Sequence, residues 1–363
     1  MREEITPLSP PMEGRGSYNK YAKLPAGGAV LALPLLEKAT ANVVLDSSTQ
    51  PIVLADYGSS QGKNSLAPMD IAIRTLRPRI GEDRPIMVFH VDQSTNDFNS
   101  LFDVLATDLD RYTQTDPQVF PCAIGRSFYE RVLPAESVHL GWSSYAAVWL
   151  SRIPRPIPGH FISLCSGGAV REEFDRQGAR DWQSFLSLRA SELVAGGRLV
   201  VVLPGIAEHG LSGFEKVMNH ANAVLAEMEK DGAIAAEERA RMVIGSHPRR
   251  MSDLLAPFAT NKPFENLSVE AFDESVVTDS AWEEFEKNGD SKTLATKHAL
   301  FFRSVFAPSL AVALTRVRAG DTDAPDAFGD RLESGLRRRL ESQPEPMHSF
   351  VHTIVLAKGL TNI

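Results

Sequence analysis

Residues 51–64 read Pro51-Ile-Val-Leu-Ala-Asp-Tyr-Gly-Ser-Ser-Gln-Gly-Lys-Asn64. The apolar run from Pro51 to Asp56 predicts a buried strand, and Gly58 and Gly62 allow the tight turn that must follow it. Helical spacing from Ser65 to Leu76 supplies the next element. The pattern then repeats: Ile86-Met-Val-Phe-His-Val-Asp92 predicts a second strand, and Phe98 to Leu109 a second helix. Two βα units in succession predict a parallel sheet.

Working outward, further strands are expected at Val119–Ile124, Ser137–Leu140, Arg198–Leu203 and Ser349–Leu356. A helix from Asp181 to Leu193 is expected to stop at Gly196-Gly197. Between Ile206 and Pro346 the text turns helical, as in Phe214 to Lys230 and Glu237 to Ile244. The expectation is a doubly wound, Rossmann-like α/β core over residues 14–205 and 347–363, with a mostly helical cap at 206–346 inserted before the last strands. Residues 1–13 are expected to form a flexible N-terminal segment.

Composition narrows the function. With 363 residues, 43% hydrophobic and 23% charged, the chain is long enough for an elaborated core and ordinary enough to fold. Its formal net charge of -8 repels polyanions, so nucleic acid is not an expected partner. The run Arg337-Arg338-Arg339 reads as a solvated helix face. Cys122 and Cys165 form no CxxC pair, and the histidines show no HExxH spacing, so no metal is expected. Met1 to Pro11 lacks the apolar run of a signal peptide, and no stretch approaches the ~20 apolar residues that span a bilayer. A cytoplasmic protein with no membrane contact is the expectation.

In open α/β sheets, ligands bind beyond the carboxyl ends of the strands. The loop after the first strand has neither a Gly-x-Gly-x-x-Gly turn nor the Gly-Lys-Ser/Thr of a phosphate cradle, and it opens with Asp56. A carboxylate there suits a cationic amine better than a phosphate. Asp92, closing the second strand, has the place and charge to accept hydrogen bonds from both hydroxyls of a ribose. Each aspartate alone is equally well read as a turn or cap residue. Together they suit a nucleoside that carries an amino acid. Gly125-Arg126-Ser127-Phe128-Tyr129 offers a hydroxyl and an aromatic wall for a purine. Tyr145 and Trp149 stand four apart on one helical face, a spacing that core packing explains as readily.

In order and wording these segments resemble the SABATH (salicylate/benzoate/theobromine) methyltransferases. Gly14-Arg-Gly16-Ser17-Tyr18 resembles that family's opening motif, Asp56 to Asn64 its glycine-bearing loop, and Asn96-Asp97-Phe98-Asn99 its Asn-Asp-Phe-Asn signature. Ser143-Ser144-Tyr145, Trp149-Leu150-Ser151 and the late segment Phe302 to Pro308 continue the likeness. The resemblance implies S-adenosyl-L-methionine as cofactor, a carboxylic acid as substrate, and a homodimer. It implies that Asp56 and Asn64 contact the methionine part, Asp92 the ribose, and Ser127 and Phe128 the adenine, with Tyr18, Gly58, Ser59 and Gln93 completing the cofactor site. It further implies that Trp149 donates its indole N–H to the substrate carboxylate and is the residue central to catalysis. Tyr18, Tyr145, Val148, Phe302 and Val305 would line the substrate pocket.

Three positions depart from the pattern. The glutamine that clamps the carboxylate in many relatives is Pro25, the serine before it is Ala22, and the histidine before the tryptophan is Val148. Alternatives to an O-methyltransferase acting on aromatic, indolic or terpenoid acids therefore stay open. One is an N-methyltransferase acting on a purine-like ring; others are an NAD-dependent oxidoreductase and a catalytically silent binding protein.

Overall fold

Ile52, Leu54 and Ala55 have no exposed surface, and neither do Ile86 and Val88 in the next apolar run. A strand covered on both faces needs such a near-continuous apolar sequence, and both runs supply it. In the computed structural model of the chain, which describes residues 10, 12–208, 210–259, 262–314 and 324–360, two helices lead in: α1 (Ser17–Tyr21) and α2 (Lys23–Ala41). Then β1 (Ile52–Tyr57), α3 (Leu66–Ile80), β2 (Ile86–Asp92), α4 (Phe98–Thr107), β3 (Val119–Gly125) and β4 (Val138–Ser144) alternate. The long α5 (Gly168–Glu192) runs directly into β5 (Leu193–Pro204). After it come α6 (Glu215–Lys230), α7 (Ala236–Arg241), α8 (Met251–Leu255), β6 (Leu267–Val277), α9 (Ser280–Asn288), α10 (Ser291–Ala311), α11 (Ala324–Ser342) and β7 (Ser349–Lys358).

The strands form one sheet in the order β3-β2-β1-β4-β5-β7-β6. The first five run parallel, whereas β7 is antiparallel to both β5 and β6. Strand order reverses between β1 and β4, so the crevice at their carboxyl ends is the topological switch point. Period-two alternation divides the core. Leu54, Leu140 and Val200 pack with Leu36 of α2 and Met69 of α3 on one face; Tyr57, Leu199 and Val201 pack with Trp182 and Phe185 of α5 on the other. Helices α6, α10 and α11 make the cap, joined through Val224, Leu310 and Leu336.

An ion pair with no exposed surface on either partner closes the end of α5. Arg189 Nε donates to Glu192 Oε2 at 2.9 Å. The same guanidinium donates to the carbonyls of Phe128 (2.7 Å) and Glu130 (3.0 Å). The same carboxylate accepts from the Tyr57 hydroxyl (2.8 Å) and the Val132 N–H (2.8 Å). A buried pair is tolerable only when its remaining donors and acceptors are met, and here backbone and phenol meet them.

Several sequence expectations differ from the fold. Gly196-Gly197 does not stop a helix: α5 ends at Glu192, and both glycines lie within β5. There Gly196 takes φ 78°, a left-handed conformation, beside a register shift between Val138 and Leu140. The stretch expected to be a helical cap also contributes β6 to the sheet edge. Helix α2 was not anticipated. Of the segment expected to be flexible, residues 1–9 and 11 lie outside the described residues, while Glu13 is held by the cap. Its N–H donates to the Ser304 carbonyl at 3.0 Å, and its carboxylate accepts from Arg303 at 2.9 Å.

Replacing Arg189 with Met leaves Glu192 buried without its cation. Arg189→Met is expected to cost about 3–5 kcal/mol in urea unfolding; a loss under about 1 kcal/mol would show that the pair is not what secures this corner.

Candidate active site

The loop after β1 is built from left-handed residues: Gly58 (φ 94°), Ser60 (φ 48°) and Gly62 (φ 87°). Gly58 has no alternative, because a Cβ there would sit 2.0 Å from the Ala146 methyl, which follows β4 across the switch point. Asp92 fastens this loop from the end of β2. Its Oδ2 accepts the Ser60 N–H at 2.7 Å and its Oδ1 the Gln93 N–H at 2.8 Å. Burial pushes the Asp92 carboxyl up to about 6; the two backbone donors oppose that rise and the Asp56 carboxylate adds to it.

A cavity of about 720 Å³ opens over this point. Gly58, Ser60, Asp92 and Gln93 form one side of it, and Ser127 with Phe128 form the other. The Phe128 ring stands edge-on to Phe185, 6.0 Å between centroids, so the wall rests on α5. A second chamber of about 570 Å³ lies against the cap, with Pro25, Val148, Ile162, Phe301, Val305 and Phe306 among its walls. Among the described residues, no Asp, Glu, Lys or Arg side chain lines it. The two spaces share Met12, Tyr18, Tyr145 and Trp149.

Apart from Met12, those shared groups are neutral donors. Burial pushes both phenols up, Tyr18 further raised by Asp92 and Tyr145 by its neighbour Tyr18, so both keep their protons. Tyr145 has φ 58°, a costly conformation for an aromatic residue, and strain of this kind concentrates at ligand sites. Its hydroxyl fits against α2 because residue 28 is glycine; a Cβ there would lie 2.4 Å from that oxygen. The Trp149 ring leans on Phe306, 6.2 Å between centroids, and among the described residues no acceptor meets its indole N–H.

Of the residues named from sequence, Tyr18, Gly58, Asp92, Gln93, Ser127, Phe128, Tyr145 and Trp149 line the first cavity, and Tyr18, Tyr145, Val148, Trp149 and Val305 line the second. Four others do not. Asp56 shares the β1 face of Ile52 and Leu54, and its Oδ2 takes the Ser65 hydroxyl and lies 3.1 Å from His90 Nδ1 beneath α3. Ser59 turns inward, its hydroxyl buried without a partner. Asn64 lines the groove between α2 and α3. Phe302 is packed against Phe161 and Phe306, one helical step from the chamber wall. Sequence reading missed Ser60, Asn96 and Ala146 on the first cavity and Phe301 on the second. Phe301 was findable, because it lies one turn before Val305 on the same face of α10.

An open α/β sheet with a crevice at its switch point, sharing a wall with an apolar chamber, defines a ligand-binding protein of the doubly wound class. The profile of the SAM-dependent carboxyl methyltransferases matches residues 11–357, and the chain belongs to that family. Its family cofactor is S-adenosylmethionine. The methyltransferase LUC1 of Fusarium sp is 31% identical over 251 residues, 67% of this chain and 65% of that protein. The farnesoic acid carboxyl-O-methyltransferase of Arabidopsis thaliana is 27% identical over 279 residues, 72% of this chain and 77% of that one. The chain thus spans just under two thirds of the length of its fungal relative. A solved loganic acid methyltransferase with SAH shares the fold, with a TM-score of 0.77 at 20% identity, covering 96% of this chain and 99% of that one.

Asp92 titrates above the ordinary carboxylate range, so between that range and pH about 6 the native state binds the extra proton. Stability contributed by this proton falls as pH rises through about 6, so this group is expected to make the unliganded protein about 1 kcal/mol less stable to urea at pH 7 than at pH 5, discounted for its partly solvated position. The ionised form is the better acceptor of ribose hydroxyls. S-adenosylhomocysteine affinity should therefore drop by up to about tenfold per unit below pH 6; calorimetric affinities that stay level between pH 5 and pH 8 would detach Asp92 from the ligand.

Proposed function

We propose that the protein transfers a methyl group from S-adenosylmethionine to the carboxylate of a small, largely apolar acid and releases the methyl ester. The observation that carries this reading is the shared wall of Tyr18, Tyr145 and Trp149 between the switch-point cavity and a chamber that no charged side chain lines among the described residues. A chamber so lined suits a ligand whose single charge sits at that wall and whose body is apolar.

The donor set fits the cofactor. Asp92 would accept the ribose hydroxyls, Ser127 and Phe128 would flank the adenine, and Gly58 and Ser60 would let the backbone approach the amino-acid part, with Asp56 beneath them. When bound, S-adenosylmethionine supplies a methyl group carried on a positively charged sulfur. The rest is positioning. A carboxylic acid is already ionised at neutral pH, so no side chain has to remove a proton. The Trp149 indole N–H would hold one carboxylate oxygen and leave the other directed at the neighbouring cavity. The phenols of Tyr18 and Tyr145 would flank it. Phe301, Val305 and Phe306 would keep water from solvating the nucleophile, which raises its reactivity and favours an in-line approach. An uncharged clamp has a further use, since a cation there would retain the acid and reduce the nucleophilicity of its oxygen. Within this proposal the enzyme works in the cytoplasm, as the sequence reading expects, and as a homodimer, as the resemblance implies.

Labelled S-adenosylmethionine offered with aromatic, indolic and terpenoid acids should give methyl esters detectable by mass. Trp149→Phe keeps an aromatic ring and removes the donor; we expect kcat/KM to fall about tenfold to a hundredfold while S-adenosylhomocysteine affinity stays within about twofold. Label passing to a purine ring nitrogen and to no acid would refute the carboxylate reading.

A further inference from the structure

Beyond Phe301, away from the chamber, lies another cavity of about 1030 Å³, bounded by α1, the start of α2, and α10. Phe301 lines both spaces, and on α2 the neighbouring residues Leu24 and Pro25 face one each. The partition is therefore one side chain thick.

The two sides differ in chemistry. Lys20, Lys23 and Lys297 are exposed on the wall of the outer cavity. Lys297 is paired with Glu284. Lys20 lies over the Tyr21 ring at 4.9 Å, and among the described residues neither Lys20 nor Lys23 meets a carboxylate. Among the described residues Asp279 is the one carboxylate in the wall, and it is already engaged. It accepts the N–H groups of Ala281 (3.0 Å) and Met347 (2.9 Å), and it lies 2.7 Å from His298 Nε2. His298 lines the same cavity, almost fully buried, and its Nδ1 has no hydrogen-bond partner.

This placement answers a difficulty set by the whole molecule. At a net charge of -8 the surface repels an approaching acid, and among the described residues no Lys or Arg lines the chamber that would receive it. A lysine-rimmed concavity separated from the chamber by one aromatic ring offers two cations, Lys20 and Lys23, that meet no carboxylate among the described residues. We propose that this outer cavity is the port by which the carboxylic acid reaches the chamber. Lys20 and Lys23 draw and first hold the carboxylate, and the apolar body passes as Phe301 turns aside. The inference rests on the carboxylate reading above and adds a transient anion site that the reading does not require.

The test uses the full chain, the acid most rapidly esterified in the panel, and the neutral amide of that acid as a competitive inhibitor. Wild-type kcat/KM is expected to fall with rising ionic strength. Lys20→Glu/Lys23→Glu should begin about tenfold lower at low salt, converge with wild type at high salt, and show its loss in KM. Lys20→Arg/Lys23→Arg should restore the wild-type salt response, and S-adenosylhomocysteine titration reports that each variant is folded. Inhibition by the amide should be the same in wild type and in the Glu variant. A wild-type kcat/KM indifferent to salt, or an equal loss for acid and amide, overturns the port while leaving esterification standing. If no acid is esterified, the carboxylate reading fails and the port fails with it.

Discussion

The crevice depends on a guanidinium and a carboxylate that have both left water. Arg189 and Glu192 stand at the end of α5, and between them they hold the carbonyls of Phe128 and Glu130, the Val132 N–H and the Tyr57 hydroxyl. Burying two ions costs several kcal/mol each unless nearby groups replace the lost hydration. Here the replacements are the backbone of the segment after β3 and the last residue of β1, two of the structures that shape the nucleoside cavity. The pair thus converts the position of a surface helix into the position of an aromatic wall.

On the other side of the switch point the constraint is steric rather than electrostatic. Gly58 and Ala146 approach so closely that no side chain fits at 58, and Asp92 binds the loop by its backbone rather than through another side chain. The site is consequently specified by three kinds of contact that do not compete: a packed backbone crossing, carboxylate-to-amide bonds, and a buried ion pair. Membership in the carboxyl methyltransferase family fits this economy, because methyl transfer to an ionised acid needs placement and dryness more than proton movement.

Much of this was legible in the residues. Apolar runs ending in Asp56 and Asp92 disclosed the parallel strands, and Asp92 sits on the wall where a strand's end belongs. Asp56 stays off the cavity wall for a physical reason. It shares a face with Ile52 and Leu54, so its side chain enters the α3 layer and meets His90, its register partner on β2. Strand β6 was hidden because it is an edge strand with Ser268, Glu270, Asp273 and Glu274 along its length, and polar edges discourage pairing with other chains without leaving an apolar signal. Helix α2 was hidden by Pro25, Gly27 and Gly28, residues that lower helix propensity; Gly28 is there for the Tyr145 hydroxyl. Phe302 and Phe301 differ by 100° around one helix, a distinction that a motif match does not make and a helical projection does.

The strap at the amino end carries a thermodynamic consequence. Met12 borders both compartments, and the next residue, Glu13, is fastened to Ser304 and Arg303 of α10. Gln61, in the loop above the sheet, donates to the Glu13 carbonyl at 2.7 Å. One short segment therefore ties the glycine loop to the cap helix, and freeing the two elements from one another would cost those hydrogen bonds.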